Sequence, residues 1–314
     1  MPEPLRIVVP DDAPPVLGPS AAWSKLESQA VRYEDLPGGE PRLVDRIRDA
    51  DVVINIRSST RFSESVFQQC PRLKLISIWG TGTDNIDLAA AASCGVTVTN
   101  TPGVSAASIA EHCLALMLAV GRRLPRLDAA VRNGEWPRGG MTQMAGKTLG
   151  VIGLGAIGRR FAALGRAIGM RVLAWTMHPD PALGFELVDL DDLLRASDVV
   201  SVHLRLSDQT RGFLGRRELG LMKPAAILLN TARGPIVEER ALVEALASGR
   251  LAGAGLDVFD VEPLPAGHAL AALENVALSP HCAGITPEAL EAGLRLAVEN
   301  VYRFLEGRPE NVVK

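Results

Sequence analysis

Several classes of protein are excluded by what this sequence has little of. Its 314 residues include four cysteines, none of them in a CxxC pair, which excludes a disulfide framework and fits a reduced compartment. No uncharged apolar run approaches the about 20 residues that a membrane helix needs. The formal net charge is −3 and there is no basic tract, which argues against a nucleic-acid surface. We predict no metal site, and we expect a cytoplasmic protein because the first residues have no export signal.

The residues that are present indicate a globular chain of two domains. Hydrophobic residues make up 47% and charged residues 22% of the sequence, close to the average for globular proteins. A length of 314 residues favours two domains over one. The composition therefore leaves enough apolar material for two buried cores.

Short apolar runs alternate with segments of helical period along the whole chain, which is typical of β-α-β units and parallel sheets. The runs are continuous, as expected of strands that helices cover on both faces. In the first half they are LRIVV, DVVINI, LKLISI and VTVTN, and in the second half TLGVIGLG, MRVLAW, DVVSVHL, AAILLNT, GAGLDV and NVALSP. Long helices are predicted over 105–123 and within 286–309. The fold class is therefore predicted to be α/β, with doubly wound parallel sheets.

A glycine-rich turn lies between the strand TLGVI and a helical segment. In this context a GxGxxG sequence is typical of dinucleotide binding, because the glycines permit a tight turn and close approach of a pyrophosphate to the helix N-terminus. An ordinary glycine turn without a ligand is the alternative. The candidate cofactor-binding residues are Gly153, Gly155, Ala156, Ile157 and Gly158.

The choice between NAD and NADP is left open by the sequence. A carboxylate at the end of the second strand, about 20 positions past the glycines, would bind the ribose of NAD. Thr176 occupies that position, and Asp180 lies further into the loop. There is neither an acidic residue to repel a 2′-phosphate nor an arginine to bind one, so the cofactor is predicted to be NAD or NADP.

Polar residues follow three successive predicted strands in the second half of the chain. Arg233 follows AAILL, Asp257 and Glu262 follow GAGL, and His281 follows NVALS. The carboxyl ends of parallel strands meet at the edge where doubly wound sheets bind ligands. A guanidinium, a carboxylate and an imidazole there predict an acid/base site for a small anionic substrate. Each residue taken alone is also compatible with a structural role.

The motifs GLGAIGR, NTARG, GLDVFDVEP and SPHCAG, in this order, resemble the D-isomer-specific 2-hydroxyacid dehydrogenase family. The earlier GTGTDNID, NTPG and AEHCLALML resemble it too, and the likeness to its phosphoglycerate dehydrogenase and glyoxylate-hydroxypyruvate reductase members runs from about Asp51 to Glu299. The resemblance implies two Rossmann-like domains with the active site in the cleft between them. The substrate-binding domain would comprise 1–98 with 282–314, and the dinucleotide-binding domain 99–281. No regulatory domain is expected after Lys314.

The resemblance also implies individual roles for the strand-end residues. Arg233 would bind the substrate carboxylate, and His281 would pass a proton to the carbonyl oxygen as hydride reaches C2. Glu262 would orient the ring of His281 and favour its protonated form. Asp257 would contact the nicotinamide end, or simply form a turn. Thr231 and Ala232, beside Arg233, are assigned to the cofactor as well.

Two segments of the first half are implied to bind substrate. Thr81 and Gly82 resemble a loop whose backbone amides bind a carboxylate, although a plain turn is the alternative. Arg57 and Ser58 resemble the RSxT segment of phosphoglycerate dehydrogenases, with an ordinary surface charge as the alternative. Trp79 replaces the basic residue usual in that subfamily and would suit a smaller or apolar substrate, so the substrate is left open.

Two further expectations concern the oligomeric state and the choice between an enzyme and a non-catalytic protein. The apolar segment Ala110–Val120 resembles the region near which family members form homodimers, although a core helix would look the same. A non-catalytic, dinucleotide-sensing corepressor is the alternative to an enzyme. We expect an enzyme, an NAD(P)-dependent D-2-hydroxyacid dehydrogenase. Corepressors of this kind carry additional tails that bind partners, and the family motifs leave no segment of this sequence for such a tail.

Overall fold

The computed structural model describes residues 5–26 and 29–313 of the chain. The chain forms two compact units, one of Met1–Ser105 with Ile285–Lys314 and the other of Ala106–Gly284. The sequence-based boundaries lie a few residues earlier in both cases. Among the described residues, no helix combines the length and apolar character needed to cross a membrane.

The first unit contains a five-stranded parallel sheet. Its strands are β1 (Ile7–Val9), β2 (Ala30–Arg32), β3 (Val52–Asn55), β4 (Leu75–Ile78) and β5 (Thr97–Thr99), in the order β2-β1-β3-β4-β5. Its helices are α1 (Glu40–Ile47), α2 (Glu64–Gln69), α3 (Leu88–Ser93) and α10 (Pro287–Leu305). Four of the five strands coincide with the apolar runs of the sequence. The short β2 was not predicted.

The second unit contains a seven-stranded parallel sheet. Its strands are β6 (Thr148–Ile152), β7 (Arg171–Trp175), β8 (Glu186–Leu187), β9 (Val199–Val202), β10 (Ile227–Asn230), β11 (Gly253–Leu256) and β12 (Val276–Leu278). Its helices are α4 (Ala106–Gly121), α5 (Leu124–Arg132), α6 (Ala156–Ala167), α7 (Leu190–Ala196), α8 (Arg216–Leu221) and α9 (Glu239–Ala247). The strand order is β12-β11-β10-β9-β6-β7-β8, so the winding reverses between β6 and β9. Doubly wound sheets bind ligands outside the carboxyl ends of the strands at such a reversal.

Both faces of the second sheet are buried, which explains the continuous apolar runs. Successive side chains of a strand point to opposite faces. Val151 therefore lies in one core cluster and its neighbour Ile152 in the other, and Leu229 and Leu228 on β10 divide in the same way. Burying a side chain of this size stabilises a protein by about 1.5–3 kcal/mol. The sequence prediction of two covered faces is confirmed.

Side-chain caps fix where several helices of the first unit begin. Ser63 accepts a hydrogen bond from the amide of Val66 at the start of α2, and Asp87 accepts one from Ala90 at the start of α3. Thr286 caps α10 ahead of Pro287, as its sequence predicts. The apolar side chains of α10 pack within the first unit, in the same core cluster as strand residues of β1, β3 and β4.

Candidate active site

The glycine turn between β6 and α6 has room for a ligand where the sequence predicted it. Gly153 has φ +99°, and a Cβ there would lie 2.6 Å from the carbonyl oxygen of His203. A Cβ on Gly158 would lie 2.0 Å from the carbonyl oxygen of Gly153. At Gly155, the N-cap of α6, an added Cβ would meet no described atom within 4 Å. Two glycines are therefore required by packing, whereas the third borders open space.

This turn fits a dinucleotide pyrophosphate. Gly155 and Ala156 are exposed, and Ile157 follows them in the first turn of α6. The first N–H groups of a helix have no partners within the helix, and its dipole favours an anion at this end. These residues would therefore hold the phosphates of NAD or NADP.

The end of β7 leaves the ribose position without a carboxylate. Thr176 directly follows Trp175, the last residue of β7, and is partly buried. Asp180 accepts a hydrogen bond from the amide of Ala182 at 2.9 Å and so caps a short 3-10 helix. The structure therefore keeps the choice between the two dinucleotides open, as the sequence does.

The loop that carries Arg233 is braced by a residue to which the sequence gave no role. Asn230, at the end of β10 and 1% exposed, accepts a hydrogen bond from the amide of Ala232 and donates one to the carbonyl of Arg233. Gly234 follows, where a Cβ would lie 2.0 Å from the carbonyl carbon of Phe259. Only glycine fits at this contact, which places the Arg233 loop directly against the segment that leads to Glu262.

Thr231 in the same loop is held by a buried cysteine. The Sγ atom of Cys113, on α4, lies 3.1 Å from Oγ1 of Thr231. Burial raises the pKa of the Cys113 thiol to about 12, against a weaker opposing effect of the Thr231 hydrogen bond. The group is therefore a neutral thiol at neutral pH, and its contact with Thr231 is structural rather than nucleophilic.

Glu262 and His281 form a hydrogen-bonded pair. Nδ1 of His281 lies 2.7 Å from Oε2 of Glu262, while Oε1 of Glu262 accepts a hydrogen bond from the amide of Phe259 at 3.0 Å. Burial raises the pKa of Glu262, but the hydrogen bonds from His281 and Phe259 and the charges of His281 and Arg233 outweigh it. The pKa of Glu262 therefore lies below its ordinary value of 4.5. The carboxylate stays ionised at neutral pH and fixes the proton-bearing Nδ1 of the ring.

Asp257 directly follows β11 and is 1% exposed. Its carboxylate accepts hydrogen bonds from the backbone amides of Cys282 and Ala283, both at 2.9 Å. Ser279 donates a third hydrogen bond to it, at 2.6 Å, and His112 on α4 lies 2.8 Å from the same hydroxyl oxygen. Neither Ser279 nor His112 was singled out from the sequence.

The candidate residues of the first unit lie at the carboxyl ends of its strands. Arg57 follows β3 and is half-buried; its amide donates to the carboxylate of Asp11 and its guanidinium donates to the carbonyl of Pro14. Ser58 is exposed beside it. Asp11 also accepts from the amide of Ile56, and burial raises its pKa despite these hydrogen bonds. The buried Asp11 thus fixes the backbone that carries Arg57.

The loop after β4 presents two amides. The amide of Gly80 donates to Oγ1 of Thr101 at 2.7 Å and is therefore already used. Thr81 and Gly82 follow, and within residues 5–26 and 29–313 their amides have no hydrogen-bond partner. Trp79 packs against Gly293 of α10, where a Cβ would lie 2.0 Å from its Nε1. The amides of Thr81 and Gly82 are the ones left for an anion.

The sequence missed the side-chain contacts that support the site. Cys113 and Thr231 are 118 positions apart, and His112 and Ser279 are 167 positions apart. No local pattern connects such pairs, because the parallel sheet brings distant segments together. AEHC and SPH were both recognised as motifs, but only the fold pairs their side chains.

The sheet with its reversal, the glycine turn and the acid/base pair define a dinucleotide-dependent oxidoreductase. The family model described as "D-isomer specific 2-hydroxyacid dehydrogenase, NAD binding domain" matches residues 114–283. The chain belongs to the D-isomer-specific 2-hydroxyacid dehydrogenase family, whose members act on CH–OH donors and use NAD or NADP. The resemblance found in the sequence is confirmed, and the corepressor alternative has no support.

Individual relatives agree with this assignment. A glyoxylate reductase of Aeropyrum pernix is 42% identical over 285 residues, which cover 86% of this chain and 85% of the relative. A D-3-phosphoglycerate dehydrogenase of Methanocaldococcus jannaschii is 39% identical over 86% of this chain, but this covers only 53% of that protein. The structure of an acyclic imino acid reductase in complex with NADPH and D-Arg has a TM-score of 0.91 at 30% identity, covering 99% of this chain and 100% of that one.

Proposed function

We propose that this enzyme reduces a small 2-oxo acid, with glyoxylate as the first candidate, to the corresponding hydroxy acid. The observation that carries the residue roles is the 2.7 Å contact between His281 and Glu262 at the carboxyl edge of the sheet. The name of the Aeropyrum pernix relative supports glyoxylate. Trp79, in place of a basic residue, favours a small substrate over a phosphorylated one.

When bound, NADH or NADPH supplies the hydride that reaches C2 of the oxo acid. Gly153, Gly155, Ala156, Ile157 and Gly158 hold its phosphates at the N-terminus of α6. Thr176 would bind its ribose, and Thr231, Ala232 and Asp257 would bind its nicotinamide end.

The protein residues bind the substrate and supply the proton. Arg233 binds the carboxylate, for which a planar guanidinium with two parallel donors is suited. His281 donates a proton from Nε2 to the carbonyl oxygen, while Glu262 accepts from Nδ1 and stabilises the imidazolium. In the reverse direction His281 accepts the proton of the hydroxyl group.

The first unit is the substrate-binding domain in this proposal. Its candidate substrate-binding groups are the backbone amides of Thr81 and Gly82, which suit an anion, and the side chains of Arg57 and Ser58. The second unit, which contains the residues that the NAD-binding family model matches, is the cofactor domain.

The functional form in this proposal is a cytoplasmic homodimer. Within Ala110–Val120, Ala110, Cys113 and Met117 are buried in the core of their own unit. Large exposed apolar side chains that could extend an interface near this segment lie on α5 and the residues after it: Leu124, Val131, Trp136 and Met141.

A cofactor-oxidation screen tests the proposal. NADH and NADPH are each offered with glyoxylate, hydroxypyruvate, pyruvate, phenylpyruvate, 2-ketoglutarate and phosphohydroxypyruvate, and absorbance of the reduced cofactor is followed. We expect glyoxylate or hydroxypyruvate to give the highest kcat/KM. A preference for phosphohydroxypyruvate would overturn the small-substrate assignment. Oxidation of neither cofactor with any of the six acids would overturn the reaction itself.

A further inference from the structure

Three successive backbone amides point at one buried residue. The amide of His281 donates to the carbonyl of Asp257 at 2.8 Å, and the amides of Cys282 and Ala283 donate to its carboxylate at 2.9 Å each. Consecutive N–H groups arranged in this way form an anion-binding concavity. Here two of the three amides bind the carboxylate of Asp257, and the third binds its main-chain carbonyl.

The backbone held by these contacts is an uncommon one. His281 has φ +50°, in the left-handed region that few residues other than glycine adopt. This conformation brings the Cβ close to the backbone and persists only where the surroundings fix it. The three hydrogen bonds to Asp257 provide that restraint, and the conformation directs the imidazole toward Glu262.

Asp257 is itself held by a chain of hydrogen bonds. Ser279 donates its only hydroxyl proton to Oδ1 of Asp257, so its oxygen accepts from Nε2–H of His112. The chain runs from α4 through the end of β12 to the end of β11. It therefore connects three separate elements of the second unit to the turn that carries His281.

The carboxylate of Asp257 is not arranged as a cation ligand. Ligand atoms of His112, Asp257 and Cys282 lie within 4.8 Å of one another. However, Asp257 already accepts hydrogen bonds from Ser279 and two amides, and burial raises the pKa of the Cys282 thiol. A metal would have to displace these donors and deprotonate the thiol.

We propose that Asp257 is a positioning residue, which acts through His281 by holding the 281–283 backbone, and that Ser279 and His112 fix Asp257 in turn. The resemblance to the family implied contact between Asp257 and the nicotinamide; the proposal gives the residue a task that does not depend on the cofactor. It rests on the catalytic role proposed for His281.

A double-mutant cycle separates the two tasks. Asp257→Asn preserves size but replaces an accepting oxygen with an NH2 group that cannot accept from a backbone amide. We expect kcat with glyoxylate to fall roughly 10- to 100-fold, since small misplacements of a catalytic group cost this much. Because Asp257 acts through His281, Asp257→Asn combined with His281→Ala should be no slower than His281→Ala alone.

A residue that acts on the nicotinamide alone would give the opposite result. The losses of Asp257→Asn and His281→Ala would then multiply in the double variant, and the fall in kcat of Asp257→Asn would be matched by a rise in the Kd for NADH, measured by protein fluorescence. Multiplying losses overturn the proposal. Asp192→Asn, an exposed carboxylate on α7 of the same unit, is the matched control and should retain full kcat.

Graded variants keep the test decisive if Asp257→Asn fails to fold. Ser279→Ala and His112→Ala should each lower kcat roughly 2- to 10-fold, the effect of one lost hydrogen bond. His112→Gln should restore most of the loss, because its amide nitrogen can donate to Ser279 as Nε2 does. Equal losses in His112→Ala and His112→Gln would contradict the hydrogen-bond chain.

A spectroscopic readout makes the test independent of turnover. The Nδ1 proton shared by His281 and Glu262 should give a downfield proton NMR resonance in the wild type, identified by its absence in His281→Ala. Without any substrate, Asp257→Asn should shift or broaden this resonance while Asp192→Asn leaves it unchanged. An unchanged resonance in Asp257→Asn would overturn the positioning role. Absence of turnover in the wild type, with the expected NMR change, would instead overturn only the proposed function.

Discussion

At the residue scale, hydrogen bonds and tight packing leave little freedom for substitution at the positions of the candidate site. Glu262 has both carboxylate oxygens committed, one to an amide and one to the imidazole. Gly234 has no room for a side chain against the backbone of Phe259. Asn230 satisfies two backbone groups of the Arg233 loop with one side chain. The reactive side chains are therefore held by neighbours that take no part in the chemistry.

Replacement of His281 tests the acid/base role. His281→Ala and His281→Gln should lower kcat for reduction by a factor of about 10²–10⁴, the contribution of a positioned general acid. Steady-state kinetics measure this, and NADH binding should be preserved because the cofactor phosphates are held elsewhere. Turnover within a few-fold of wild type would remove His281 from the mechanism.

The positions of the candidate catalytic residues could be predicted from sequence because they follow predicted strands. Arg233, Glu262 and His281 come after three apolar runs whose carboxyl ends must share one edge of a parallel sheet. The supporting residues could not, since Cys113 and His112 meet partners more than a hundred positions away. Hydrogen bonds of that kind depend on how α4 packs, which no local pattern encodes.

At the element scale, burial decided which strands were visible in the sequence. The buried strands β6, β7 and β10 were predicted, as was the three-residue β1, whereas β2 and β8 are short and have no buried residue, so neither forms an apolar run. The helix α5 was missed as well. It begins after Arg123, which has φ +52°, and its first turn contains a proline. In the sequence, a proline at this place predicts the end of the preceding helix rather than the start of a new one.

The N-terminus of α6 provides a matched pair of substitutions. Gly155→Ala adds a methyl group to open space, so the Tm should be unchanged while the Kd for NADH rises about tenfold or more, because the Cβ occupies the phosphate position. Gly158→Ala places a Cβ 2.0 Å from a carbonyl oxygen and should lower the Tm as well. Calorimetry and fluorescence titration measure both quantities. Unimpaired NADH binding by Gly155→Ala would contradict the assigned phosphate position.

His203, which directly follows β9, makes the stability of the protein depend on pH. Burial lowers the pKa of His203 from 6.5 to about 4; its Nε2 lies 2.9 Å from Oγ of Ser201 and its ring packs against Phe161. The unfolded chain therefore binds a proton that the folded chain does not. The stabilisation is complete above about pH 6.5 and is lost as the pH falls toward 4.

Urea unfolding measures the size of this effect. Between pH 7.5 and 5.0 His203 should account for a loss of about 1–2 kcal/mol in the free energy of unfolding. The amide of His203→Gln can still form a hydrogen bond with Ser201 but does not titrate. Over the same pH interval, the free energy of unfolding of this variant should therefore fall by about 1–2 kcal/mol less than that of the wild type. The same pH dependence in both proteins would show that His203 does not titrate as described.

At the scale of the whole molecule, the proposed dimer depends on exposed apolar side chains of the second unit. Trp136 is 73% exposed, and Leu124, Val131 and Met141 are each about half exposed. Large exposed apolar side chains grouped on one segment are typical of interaction surfaces. The central strands of each sheet, by contrast, are buried along their whole length.

Light scattering tests the dimer. The wild type should have twice the 33.4 kDa mass of the chain at micromolar concentration. Trp136→Ser should shift the equilibrium toward monomer, since aromatic side chains dominate interface energies, whereas Trp136→Phe should shift it less. A wild type that is monomeric under these conditions would exclude the homodimer.

The two buried thiols have a practical consequence for following how the protein opens. Cys70 lies in the first unit and Cys113 in the second, and burial raises their pKa values to about 11 and about 12. Alkylating reagents react with thiolates, so neither residue is labelled until the surrounding core separates, whereas the exposed Cys94 reacts at once. Mass spectrometry after timed labelling would therefore measure a separate opening rate for each unit, from Cys70 for the first and Cys113 for the second. Cys94 would serve as the internal standard.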